Sequence, residues 1–258
     1  MRKRLAALVA LVAATTAGCA SAAGATSGAG QNAPRTSQAP HAVTLAADAL
    51  ATGRLHRATL AIVSGAATVT VTAAVMPGKL LRASTPADSG IRPELVRSAG
   101  RVELFLGGAA AARPGGGPSA VTVQLNEATR WQLQFSGGAS QTILDLRNAK
   151  VAGIDFTAGS SLIQMLLPRP AGTATITLAG GASQVSMTVP AGVPARLQLD
   201  GGASTATLAG LTHTGIAGGT VLTGPGWAQA VKRYDVFAPA GVSDIAVAGG
   251  TQGRAARK

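Results

Sequence analysis

The stretch SGGASQTILDL, Ser136–Leu146, opens a strand-like alternation of apolar and polar residues with an almost side-chain-free start. The same opening returns as AGGASQVSMTV at Ala179–Val189 and as DGGASTATLAG at Asp200–Gly210. A phosphate-binding glycine loop or a flexible linker accounts for one copy. Three copies point to a structural repeat.

Aligned on the second glycine of the motif, the copies extend to Gly138, Gly159 in TAGSS, Gly181, Gly202, Gly219 in AGGT and Gly241 in PAGVS. The intervals are 21, 22, 21, 17 and 22 residues, the near-constant period of a coiled chain. Gly65 in VSGAATVTV and Gly108 in FLGGAA lie 43 residues apart, about two further periods, so the repeat runs through the domain with degraded N-terminal copies.

The side-chain phase supports this independently. Leu133 and Phe135, Ile154 and Phe156, Ile176 and Leu178, Leu197 and Leu199 precede the motif on one face. After it the same face carries Leu144 and Leu146, Ile163 and Met165, Val185 and Met187, and Leu208. The other face carries Gln141, Asp145, Gln164, Gln184, Ser186 and Thr205. Alternation of period two is the mark of strands with one buried face. Each repeat reads as strand, glycine corner, strand, with LLPRPAG at Leu166 and TVPAGVP at Thr188 breaking the chain at equivalent places. One such unit cannot bury its apolar face alone, but stacked coils share a continuous interior. The fold class expected is all-β, a β-solenoid or β-helix-like stack of about 21-residue repeats; a β-sandwich is the alternative.

Composition agrees with thin β layers. Hydrophobic residues make up 47% of the 258-residue chain, aromatic residues only 3%, and there are 34 glycines, so the core is built from aliphatic and small residues. The formal charge is +12; without Arg2, Lys3 and Arg4, 19 basic residues face 10 acidic ones. That surplus favours anionic partners. The basic residues are scattered and stacking aromatics nearly absent, which argues against nucleic acid.

The one cysteine, Cys19, follows a basic n-region, an apolar stretch from Leu5 to about Ala14 and a run of small residues, the layout of a secretory signal. Thr16-Ala17-Gly18-Cys19 is similar to a bacterial lipobox, with Thr16 where Leu is usual. Lipidation there implies a diacylglyceryl, palmitate-type anchor at Cys19 and a place on the outer face of the cell membrane. Cleavage near Ala20-Ser21-Ala22 and secretion is the competing route. The expected organisation is a lipoprotein-type signal peptide at 1–18, a lipidated start and flexible linker at 19–40, a solenoid domain at 41–250 and a basic tail at 251–258. Near Val43, VTLAADALATG suits either a short helix or a first irregular strand.

Three stretches carry a family resemblance: W-x-L-x-F-S-GGAS from Trp131, the run from Asp155 to Ser204, and GPGWAQAVKRYDV from Gly224. They resemble actinobacterial members of the toastrack-like "putative adhesin" group, related to the C-terminal domain of LiaF-type cell-wall-stress proteins. The resemblance covers roughly 53–250 and is strongest from Trp131 onward. It implies a β-helix-like stack, an envelope-facing position, no catalytic residues, and a surface module for adhesion, envelope stress or assembly. LiaF-type proteins also carry membrane-spanning segments that this sequence does not show; the lipid anchor stands in for them.

Reactive constellations are sparse. His41, His56 and His213 are too separated for a metal site, and no Gly-x-Ser-x-Gly elbow occurs. Ser140, Ser161, Ser183 and Ser204 fall at each corner and read as a ladder of hydroxyls. Strands rather than a helix follow the glycine pairs, which argues against phosphate binding by the corners. Asp145, Asp155 and Asp200 sit at non-equivalent places, unlike calcium-binding coils. Trp227, Lys232, Arg233 and Tyr234 form either a cationic and aromatic contact patch or, for the two aromatics, a cap on the last coils. The expectation is a non-catalytic envelope lipoprotein with no cofactor and no metal. Its partners are the membrane through Cys19 and an envelope protein or anionic wall polymer. A ligand- or stress-sensing module reporting to a membrane partner is the alternative, and an envelope-acting enzyme the least favoured.

Overall fold

The computed structural model describes residues 45–51, 55–108 and 119–250. The signal, linker and tail expected at 1–40 and 251–258, with Cys19, lie outside the described residues. All described regular structure is β-strand. The segment read as helix or irregular strand is a strand, β1 (Leu45–Ala51). It is followed by β2 (Arg57–Ile62), β3 (Ala66–Ala74), β4 (Lys79–Thr85), β5 (Ile91–Ser98), β6 (Arg101–Gly108) and β7 (Ala120–Asn126). The regular middle is β8 (Arg130–Phe135), β9 (Ala139–Asp145), β10 (Lys150–Phe156), β11 (Ser160–Leu166), β12 (Thr173–Leu178) and β13 (Ala182–Val189). The last part is β14 (Ala195–Leu199), β15 (Ala203–Leu208), β16 (Leu211–Ile216), β17 (Thr220–Thr223), β18 (Arg233–Ala238) and β19 (Val242–Gly249).

These strands form two sheets. Sheet A has ten strands in the order β1-β4-β7-β3-β9-β11-β13-β19-β15-β16; sheet B has nine in the order β17-β14-β18-β12-β10-β8-β2-β6-β5. Each coil lays one strand in sheet B, turns, and lays the next in sheet A. In space the coils stack as β6/β7, β2/β3, β8/β9, β10/β11, β12/β13, β18/β19 and β14/β15. Every pairing between neighbouring coils is parallel. Two parallel sheets joined coil by coil make a solenoid and exclude the sandwich, which is built from antiparallel sheets.

The coil order departs from the chain order at both ends. The β6/β7 coil lies outside β2/β3, and β18/β19 fills a gap between β12/β13 and β14/β15. Antiparallel strands close the stack: β1, β4 and β5 at one end, β16 and β17 at the other. Closing strands of opposite sense limit further edge-to-edge growth. Two-residue turns serve the hairpins at each end, with positive φ at Ala99 and Gly100 and at Ala209 and Gly210, as a hairpin turn of matching twist requires.

The core lies between the sheets and its residues stack in columns. On sheet B one column runs Val102, Leu60, Leu133, Ile154, Ile176, Val236, Leu197. On sheet A another runs Val123, Val71, Leu144, Met165, Met187, Val247, Leu208. All of these are buried. Phe135 and Phe156 stack with ring centres 4.6 Å apart, 11° from parallel. The large rings sit where their column neighbours are small. Tyr234 lies between Ala174 and Ala195 and donates its hydroxyl hydrogen bond to the Pro168 carbonyl at 2.6 Å. Trp131 lies between Ala58 and Val151 and donates through Nε1 to the Asn126 carbonyl at 2.9 Å.

Candidate interaction surface

The glycine corners form one edge of the stack, and their demand is steric. In coil order the corner pairs are Ser64-Gly65, Gly137-Gly138, Ala158-Gly159, Gly180-Gly181, Ala240-Gly241 and Gly201-Gly202. The first position thus alternates between a small side chain and glycine. A Cβ on Gly137, Gly180 or Gly201 would fall 2.2, 2.1 or 2.3 Å from the backbone of Ser64, Ala158 or Ala240, so these coils touch main chain to main chain. At the second position the crowding is milder: 3.4 Å to the Gly159 oxygen for Gly138 and 3.0 Å to the Gly180 oxygen for Gly159. Gly181 and Gly202 have positive φ, while Gly138 and Gly159 do not. Gly219 stands at a corner of the opposite sense, where the chain returns from sheet A to sheet B between two antiparallel strands. That reversal accounts for its 17-residue interval. The exposed serines form a longer ladder than the four expected, because Ser243 in β19 inserts between Ser183 and Ser204.

Of the expected patch, Trp227 and Arg233 come together, while the Tyr234 ring does not join them at the surface. Tyr234 is wholly inside the core and neither it nor Trp227 caps an end of the stack. Lys232 is exposed. Trp227 lies over the outer face of sheet B with two guanidinium groups against its ring system, Arg196 at 4.0 Å and Arg233 at 3.9 Å from a ring centre. Each such contact contributes about 0.5–2 kcal/mol. The indole Nε1 donates to the Tyr234 carbonyl at 3.1 Å, and Arg233 donates to the Trp227 carbonyl at 3.0 Å and the Thr173 hydroxyl at 3.0 Å. Arg196 also grips Asp235 through both nitrogens of its fork, and Gln198 donates to the same carboxylate at 2.9 Å. Burial alone would raise the Asp235 carboxyl, but the hydrogen bonds from Arg196 and Gln198 and the charges of Arg196 and Arg233 outweigh it and hold the group below its usual range. The two cation–π contacts and these hydrogen bonds make the cluster a clasp for the β17–β18 loop. Arg196 and Asp235 escape a sequence reading because β14 and β18 are neighbours only through the out-of-order coil.

The outer face of sheet A is a flat, nearly uncharged array. One column reads Thr68, Gln141, Leu162, Gln184, Asp244, Thr205, Thr214; the next reads Thr122, Thr70, Ile143, Gln164, Ser186, Ala246, Thr207, Thr212. Strand spacing places these groups about 4.8 Å apart along each column. Beside them Asp145 is paired with Arg147 at 2.7 Å, and the hydrogen bond from Arg147 holds its carboxyl below the ordinary range. A shallow recess of about 460 Å³ at the corners is lined mainly by glycine backbone with Ser204 and Ser243. His56 and His213 are exposed and far apart in the stack, and among the described residues no three His, Cys, Asp or Glu side chains converge.

No family model matches the sequence, and no curated protein matches it. Solved structures do. The chain is similar to a "putative cell adhesion protein" from Clostridium sporogenes, at 13% identity and a TM-score of 0.59, over 80% of this chain and all of that one. At that identity the likeness speaks for the fold alone. A "putative adhesin" from Bacteroides fragilis aligns over 80% of this chain and 96% of its own, at 8% identity and a TM-score of 0.25, and carries no argument here.

Proposed function

We propose that the chain is a non-catalytic interaction module of the cell envelope, of the adhesion class, which offers its flat sheet A face to a surface protein or polymer. The observation that carries this reading is the two-column array of hydroxyl, amide and aliphatic groups, with Asp244 its one carboxylate, running across the coils. Neutral groups cost less to desolvate than charges, and a rigid sheet loses little conformational freedom when a broad partner covers it. The likeness of fold to a protein described as a cell adhesion candidate supports the class of role. On this reading Cys19 carries the diacylglyceryl anchor, residues 20–40 lift the solenoid from the outer face of the membrane, and the coils project outward.

Two experiments test it. Gln164→Glu with Ser186→Glu places charge on exposed positions of the array without touching the core. Retention of the purified chain on cell-wall preparations and intact cells is expected to fall about tenfold or more while circular dichroism stays unchanged; unchanged retention sinks the assignment of this face. Cys19→Ala is expected to move the protein from the membrane fraction to the soluble fraction, and a variant that stays membrane-bound removes the anchor.

A further inference from the structure

The opposite face carries a different feature. Arg57 on β2, Arg130 on β8 and Lys150 on β10 are register partners on three adjacent parallel strands. The residues that follow them, Ala58, Trp131 and Val151, are buried, so the three cations point outward side by side. Like charges directly opposite on neighbouring strands destabilise a sheet. The nearby carboxylates are engaged elsewhere: Glu103 with Arg101 at 2.8 Å, and Asp155 with the Gln132 amide at 2.8 Å. Lys150 donates to the Ala128 carbonyl at 3.2 Å. The guanidinium groups of Arg57 and Arg130 have no hydrogen-bonding or ion-pair partner among the described residues.

These guanidinium groups line a cleft of about 540 Å³ whose floor is Thr59 and Gln132 and whose far wall is Arg101 beside the Ala99-Gly100 turn. Guanidinium forks bind tetrahedral oxyanions through paired N–H donors. Two forks one strand spacing apart, about 4.8 Å, suit a single phosphate bridging them, with Lys150 adding charge on the strand beside Arg130, while Arg101 is occupied by Glu103 and Gln134. Among the described residues, none of the exposed large apolar side chains, such as Leu211 or Val231, lines the cleft, and a bilayer surface engages through such apolar wedges.

We propose that this cleft is a binding site for the phosphate groups of an anionic polymer, with Arg57 and Arg130 as the bridging ligands. The coil repeat is what builds it: each coil contributes one cation at the same height. The site is on the opposite sheet from the uncharged array, so the Gln164→Glu/Ser186→Glu variant leaves it within about twofold at physiological salt.

The test titrates the full chain with short linear polyphosphate by calorimetry. Arg57→Gln with Arg130→Gln is expected to weaken binding at least tenfold and to flatten its salt dependence, while the control Arg92→Gln/Lys79→Gln stays within about twofold. In phosphate-free buffer Arg130→Gln alone is expected to raise the melting temperature, since it relieves the like-charge column. Equal losses in the two double variants would mean general charge attraction and overturn the site. A double variant that binds as the parent does would overturn it too. If phosphatidylglycerol vesicles, and not polyphosphate, bind in a manner that depends on Arg57 and Arg130, the partner is a membrane and the proposal is wrong. A fall in melting temperature for Arg130→Gln would make the column structural and likewise defeat it.

Discussion

At the residue scale, the glycines of the repeat do unequal work. The motif draws the eye to its second glycine, yet the tighter constraint falls on Gly137, Gly180 and Gly201, where any side chain meets the neighbouring backbone. Gly180→Ala is therefore expected to cost several kcal/mol, at or above the upper end of overpacking effects of about 1–3 kcal/mol. Gly138→Ala, at negative φ with 3.4 Å of clearance, is expected to cost less than about 1 kcal/mol. Urea unfolding separates the two; equal effects would undo the steric account of the corner. Tyr234 gives a second case. Burial pushes its phenol well above the usual value near 10, so the unfolded chain releases that proton first as pH rises. Its contribution is complete below about pH 10 and is lost progressively above it. Tyr234→Phe is expected to lower stability at neutral pH by about 1–2 kcal/mol through the unpaired Pro168 carbonyl and to flatten the alkaline decline; a slope that persists would assign it elsewhere. Inward and outward residues were legible because alternation records them directly, as Leu144 and Gln141 do. The fate of Trp227 was legible only in part: Arg233 is six residues away, but Arg196 comes from a strand distant in sequence.

At the element scale, the strands and parallel coils of the middle, β8 to β13, follow from period and phase. The closing hairpins do not announce themselves. Their turns are Ala99-Gly100 and Ala209-Gly210, not the Asn-Gly or Asp-Gly that marks such turns, so β16 read as part of another coil and its reversal surfaced only as a short interval. Alanine at φ 42° and 52° bears the cost of a left-handed conformation. Ala99→Gly is expected to leave the hairpin intact and to stabilise the protein by up to about 1 kcal/mol; differential scanning calorimetry showing a lower melting temperature would contradict the assigned turn.

At the scale of the whole molecule, the described residues form one two-sheet stack whose ends are tied by coils threaded out of order. The period of a sequence repeat counts coils but does not say which coil lies beside which. The inserted β18/β19 coil also decides the surface: it joins Arg196 to Asp235, completes the serine ladder, and continues the columns of sheet A, to which it adds their one carboxylate, Asp244. Disulfide formation reads this order directly. In a Cys19→Ala background, Ser183→Cys with Ser243→Cys places two thiols on adjacent strands, 60 residues apart in sequence, within the Cα separation of about 4.4–6.8 Å that a disulfide allows. Ser183→Cys with Ser204→Cys places them two strands apart, near 10 Å and beyond that reach. The threaded stack predicts crosslinking of the first pair and none of the second on mild oxidation of the folded chain. Crosslinking of the second pair instead would mean that the coils stack in chain order, and would contradict the architecture on which the proposed surfaces rest.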